Sequence, residues 1–373
     1  QVNILDLPTD SAFVDGSLWG IRNTGQDGGV SGMDVNAVQA WDITTGVSTV
    51  IVGVIDTGIR YTHQDIATNM WVNTAEIAGN SVDDDGNGYV DDVYGMNGIN
   101  GSGDPMDDNG HGTHVSGTIA GTANDVGQIV GVAYNVRLMG LKFLSASGSG
   151  AISDAIKCIE YAVAMGAHIL SNSWGGGGAS TAAENAIQAA NDAGMLFTAA
   201  AGNSAGNNDV SPHYPSNYEV PNVVSVAAID RTGALASFSC YGSSTVDIGA
   251  PGVATLSSTS TSDTSYASWN GTSMATPHVT GVAALVKSQY PSAGVTEMKN
   301  RLLVAATPIT SLAGRVLTGG MVNAHAALTI AADNDLELSA NADGLVEAGA
   351  TTAFFITVTD LLPVTGATVT GNF

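Results

Sequence analysis

Val50-Ile51-Val52-Gly53-Val54-Ile55-Asp56-Thr57-Gly58 decides the fold. Its first six residues are apolar and mostly β-branched, without polar alternation, which is the pattern of a strand buried on both faces. The run stops at an acid and a turn-forming pair. Comparable runs lie outward from it at 136–142, 168–171, 195–201 and 223–229. Between them, residues 151–165 and 181–193 are rich in Ala, Ile and Glu and have helical length. Further on, Val279, Val282, Ala283 and Val286 fall at i, i+3, i+4, i+7, one face of a helix over 279–290. Strands alternating with helices predict a doubly wound α/β domain, a mostly parallel sheet with helices on both faces.

The 373 residues are 44% hydrophobic, enough for a sizeable core, and no run approaches the length of a membrane span. Against 34 Asp and Glu stand only 10 Lys and Arg, a formal net charge of -24. Such a surface repels phosphate backbones, so no nucleic-acid or membrane partner is expected, and a monomer is. Few carboxylates can find a cationic partner. That imbalance, with 47 Gly and only 10 Pro, predicts a saline, cold-adapted source and a melting temperature that rises with NaCl. A flat curve, or an equal rise with a non-ionic osmolyte, would remove the electrostatic cause.

Gln1 in place of Met is expected of a processed, secreted form whose targeting segment has been removed. Cys158 and Cys240 leave one bridge or two free thiols open. Composition shifts near residue 331. Residues 1–331 read as the main domain with an N-terminal extension, and 332–373 as a β-rich extension, too short for a whole sandwich.

Ligands of open α/β sheets collect beyond the carboxyl ends of the strands. Asp56 ends the first strand, Ser173-Trp174-Gly175 follow the one from 168, and Ala201-Gly202-Asn203 follow the one from 195. Asn109-Gly110-His111-Gly112-Thr113-His114 opens a helix, as does Asn270-Gly271-Thr272-Ser273-Met274-Ala275-Thr276-Pro277-His278. Pro277 is expected within or near the first turn, which sets Ser273 at a helix N-terminus. An Asp, a His and a Ser so placed can form a nucleophilic triad: Ser273 attacks, His111 takes its proton and Asp56 holds the imidazole tautomer. His114 is expected to be a core-facing helix residue and not half of a metal pair.

Taken jointly and in this order, these motifs resemble those of the subtilisin-like serine proteases, over about residues 20–330. The resemblance implies protein and peptide substrates, an N-terminal propeptide during maturation, and Asn203 with the Ser273 N–H as oxyanion donors. It also implies substrate edges at Gly148-Ser149-Gly150 and Ser173-Trp174-Gly175, with 200–202 as the second wall of the primary pocket. Small residues there suggest room for a large apolar or aromatic side chain, with the floor near His213 or Tyr214. The rivals are a non-catalytic, calcium-dependent binding protein on a protease fold and an esterase. Intact Asp56, His111, Asn203 and Ser273 weigh against the first. The missing Gly-x-Ser-x-Gly elbow weighs against the second.

Asp83-Asp84-Asp85-Gly86-Asn87-Gly88-Tyr89-Val90-Asp91-Asp92 matches the first part of an EF-hand calcium loop. Asp83, Asp85 and Asn87 would be ligands 1, 3 and 5, Tyr89 a carbonyl ligand and Asp91 the ninth position. Tyr94 stands where the bidentate Glu belongs, and Asp92 is expected in its place. Five acids within ten residues call for a cation. The resemblance implies a further structural Ca²⁺ site using Asp65 and the loop 123–129 with Asp125.

Overall fold

A computed structural model describes residues 7–330, together with the antiparallel strand pair Ser339–Ala340 and Ile356–Thr357. The β-rich extension over 332–373 otherwise lies outside the described residues.

The main sheet has nine strands: β1 (Ile51–Asp56), β2 (Gly95–Asn97), β3 (Arg137–Lys142), β4 (Ile169–Asn172), β5 (Leu196–Ala200), β6 (Val223–Ile229), β7 (Ile248–Pro251), β10 (Thr307–Pro308) and β11 (Gly320–Met321). Their order is β10-β11-β7-β6-β5-β4-β1-β3-β2, and only the β10–β11 pair is antiparallel. A separate hairpin, β8 (Thr255–Ser258) and β9 (Tyr266–Trp269), runs before the longest helix. The helices are α1 (Ser11–Val14), α2 (Ala37–Trp41), α3 (His111–Ala120), α4 (Ile152–Ala164), α5 (Thr181–Asp192), α6 (Thr272–Gln289), α7 (Val295–Val304) and α8 (Ala324–Thr329).

The expected two-sided burial of the first run holds. Val52 and Val54 pack with α3, α6 and α7, whereas Ile55 packs with α4 and α5. The two outer helices follow the helical period closely. Ala155, Cys158, Ile159 and Ala162 of α4, and Ala183, Ala186, Ile187 and Ala190 of α5, are the inward faces at i, i+3, i+4, i+7. Ser180 caps α5 by accepting the Ala183 N–H at 3.3 Å. Cys158 and Cys240 are both free and sit in different clusters of the core.

Helix α6 departs from the expected amphipathic stripe. It begins at Thr272, before the expected face, and every residue from Met274 to Val286 is buried. It lies across β4, β5, β6 and β7, so no face is left for solvent. Pro277 stands in the second turn, near the first as expected but inside the helix. A proline there removes one helical N–H and costs about 3 kcal/mol in an ordinary helix. The carbonyl it deprives is that of Ser273, which instead accepts the Ser173 hydroxyl at 2.9 Å. That bond returns about 1 kcal/mol and ties the start of α6 to the loop after β4.

The strand order reverses between β1 and β4. β3 and β2 extend one way from β1, and β4 to β7 extend the other. The crevice beyond the carboxyl ends of these strands is where α/β sheets bind ligands.

Candidate active site

Asp56 is the last residue of β1 and is fully buried, so its position is set by the sheet. Its Oδ1 lies 2.8 Å from His111 Nδ1 and accepts the Thr57 N–H at 2.7 Å. Its Oδ2 is buried without a partner. His111 is the first residue of α3, and this helix start comes very close to the turn after β1. A Cβ at Gly112 would stand 2.1 Å from the Gly58 carbonyl oxygen, so only glycine allows the approach. The Gly112 N–H also donates to Thr57 Oγ1 at 2.8 Å. Burial pulls the His111 pKa down, but the Asp56 carboxylate outweighs it and the net shift is upward.

Ser273 is the second residue of α6 and faces the same cleft, which His111, Asn203, Trp269 and Met274 also line. Its hydroxyl donates to the Ser173 carbonyl at 2.8 Å. The Asn203 amide is oriented by Thr272, whose N–H and hydroxyl donate to Oδ1 at 2.9 and 3.0 Å. With Oδ1 so used, Nδ2 is left to donate into the cleft. The Asp-His pair, a hydroxyl at a helix N-terminus and an oriented amide thus meet at one crevice.

A family model for the subtilase family matches residues 48–357. The chain belongs to the subtilase family. Subtilisin DY of Bacillus licheniformis is 38% identical over 278 residues, 74% of this chain and 89% of that protein. Subtilisin-like protease 1 of Plasmodium vivax is 36% identical over 306 residues, 77% of this chain but only 48% of that protein's length. A solved protease structure from Pseudoalteromonas arctica matches with a TM-score of 0.70 at 30% identity, covering 87% of this chain and 99% of that one.

In this subtilase two of the anticipated substrate edges are tied to the start of α6, through Ser173 and through the Gly202 N–H. Ser173-Trp174-Gly175 follow β4, Ala201-Gly202 follow β5, and Gly148-Ser149-Gly150 belong to an exposed turn closed by the Ser145 N–H on the Ser149 carbonyl, 2.9 Å. The His213 imidazole stands close to both walls, since a Cβ at Gly175 would lie 2.0 Å from its Cε1 and one at Gly202 would lie 2.9 Å from its Cδ2.

His114 is buried, as expected of a core residue. Its Nε2 lies 3.1 Å from the Thr255 carbonyl and 3.0 Å from that of Ala267, its ring stacks on Trp269, and burial drives its pKa down to about 3. Two contributors escaped the sequence. Lys142, beside Asp56 in register, is buried and donates to the Thr57 and Leu144 carbonyls at 2.6 and 2.9 Å. Trp269 stacks at 6.3 Å from His111.

The acidic loop brings Asp83 and Asp85 together with Glu76, one ligand oxygen from each within 4.8 Å of the others. Glu76 precedes the twelve-residue motif, so the motif could not reveal it. Asp91 accepts the N–H groups of Gly79, Asn80 and Ser81 at 2.7 to 3.1 Å, as Asp83 accepts those of Gly86, Asn87 and Gly88 over the same range. Asp92 is buried and accepts from Asn73, Asn87 and the Tyr161 hydroxyl. Asn87 Oδ1 receives the Tyr89 N–H at 2.9 Å.

Asp65 is fully buried, and its Oδ1 has no partner. This oxygen points at Gly127, where a Cβ would fall 1.3 Å from it. Burial and the Asp125 carboxylate push Asp65 up to about 7, against the pull of Tyr266 and Gln128.

Proposed function

We propose that this subtilase is a secreted, calcium-stabilised serine endopeptidase acting on proteins and peptides, matured by loss of an N-terminal propeptide. The observation that carries the proposal is the 2.8 Å contact of buried Asp56 with His111 at the crevice holding Ser273 and Asn203.

The Ser273 hydroxyl turns from the Ser173 carbonyl toward His111 Nε2, gives up its proton and attacks the scissile carbonyl carbon. The tetrahedral oxyanion is held by the Asn203 amide and the Ser273 N–H at the start of α6, where the helix dipole adds to the donors. His111 then protonates the departing amine, leaving an acyl-enzyme. Water repeats the sequence from the other side, with His111 taking its proton, and frees the carboxylic acid.

An irreversible serine-directed reagent should label Ser273 alone, as read by mass spectrometry of the digested protein. An unlabelled Ser273 with calcium-dependent protein binding would favour the rival binding protein.

Asn203→Ala should lower kcat by about 10² to 10³ with little change in KM, the scale of the matching donor in subtilisin. A change confined to KM would make Asn203 a ground-state binder only.

Calcium fits both acidic sites, because hard carboxylate oxygens are its preferred donors. Glu76, Asp83 and Asp85 would hold one ion and Asp65 with Asp125 another, and a bound ion cancels carboxylate repulsion without entering the chemistry. Chelation should therefore lower the melting temperature. At one hundred times Kd, binding to the native state alone is worth about 2.7 kcal/mol. The scan is run on Ser273→Ala to prevent self-digestion, and an unchanged melting temperature would dismiss calcium.

A further inference from the structure

The slot next to the nucleophile has two glycine walls and a histidine inside. One wall is the loop after β4, whose Ser173 carbonyl holds the Ser273 hydroxyl. The other is the end of β5, whose Gly202 N–H donates to Thr272 Oγ1 at 3.2 Å. Cβ atoms placed at the walls locate the ring between them. One at Gly175 would lie 2.0 Å from His213 Cε1, and one at Gly202 would lie 2.9 Å from Cδ2.

The ring is no stray surface group. The Gly176 N–H donates to the Tyr214 carbonyl at 3.0 Å, which joins the histidine's loop to the first wall. Ser216 Oγ donates to the His213 carbonyl at 2.7 Å, and the His213 N–H donates to Asn217 Oδ1 at 3.0 Å. Burial lowers the pKa of the imidazole below its ordinary value, although the Ala200 carbonyl favours the charged form. Above neutral pH the slot therefore contains an uncharged ring.

We propose that His213 sets the specificity of this site by occupying the slot, so that only a small, uncharged side chain fits on the acyl side of the scissile bond. The inference rests on the peptidase function proposed above. Ala, Ser and Gly fit at that position. A Phe or Tyr ring would have to displace the imidazole from two walls and from a loop that is bonded to one of them.

The test uses tetrapeptide nitroanilides that differ only in the last residue, Ala or Phe. At about pH 8, kcat/KM for Ala should exceed that for Phe by about tenfold or more. His213→Gly should raise the Phe-to-Ala ratio by about tenfold or more, and His213→Ala should do so to a lesser degree. A parent enzyme that prefers Phe overturns the proposal, and so does a ratio that neither folded variant moves. The parent's own ratio decides even if both variants fail to fold. Binding separates this inference from the peptidase function itself. Without any turnover, Ser273→Ala should bind a product peptide ending in Ala more tightly than one ending in Phe, by calorimetry. The reverse order, or no binding of either, overturns the assignment of His213. Loss of hydrolysis alone, with the Ala preference in binding intact, counts against the catalytic reading only.

Discussion

Ser273→Ala is expected to cut kcat by about 10⁶ while leaving the fold unchanged, the scale of nucleophile removal in subtilisin. The side chain is half-exposed at the second position of α6, and its hydroxyl makes one bond, to the Ser173 carbonyl. The helix start keeps its other ties, since Ser173 Oγ bonds the Ser273 backbone carbonyl and Thr272 bonds Asn203. A small stability change with a very large rate loss is the signature of a nucleophile. Activity within tenfold of the parent would sink the triad. Melting and peptide hydrolysis should be measured on the same preparation.

Asp56→Asn is expected to lower kcat by about 10⁴ at neutral pH, the penalty of the wrong imidazole tautomer. Asp56 Oδ1 is the oxygen that faces His111 Nδ1, so an amide whose NH₂ turns to the ring donates to Nδ1 and fixes the imidazole proton on Nε2. The pH profile gives a second, independent readout. A general base must be unprotonated, so kcat/KM rises with pH through the His111 pKa of the free enzyme. Burial lowers that pKa and Asp56 raises it, with a net rise, so the parent's acid limb should have its midpoint above about 6.5. Without the carboxylate only burial and the weaker pull of Asp107 remain, and the midpoint should fall. A limb that stays in place would mean that Asp56 does not face the titrating imidazole.

Much of this molecule was legible because buried parallel strands announce themselves. The run beginning at Val50 needs neither face polar, and its end at Asp56 marks the crevice in the primary structure itself. β6 matches its expected limits, and β1, β3, β4 and β5 lie within a residue of theirs. Helix α6 was misjudged because periodicity selects the strongest stripe, whereas four strands bury this helix all round. Pro277, expected within or near the first turn, stands in the second, where a serine one hundred residues away offsets part of its cost. Acidic spacing alone cannot say which carboxylates turn to backbone N–H groups. Asp91, Asp83 and Glu76 all do so, and Glu76, which lies before the motif, comes close to Asp83 and Asp85. His213 was expected near the floor of the pocket, and residue spacing does not tell that its ring comes close to both glycine walls.

The order of strands also fixes when the molecule can become dangerous. Ser273 lies more than two hundred residues after Asp56, on a helix that must dock across β4, β5, β6 and β7. During synthesis the acid and base emerge long before the nucleophile, and domains of this kind need distant segments before they close. A growing chain thus carries no finished blade. Under the proposed mechanism, cutting power waits for a helix that is made after β1 to β7 and before β10 and β11.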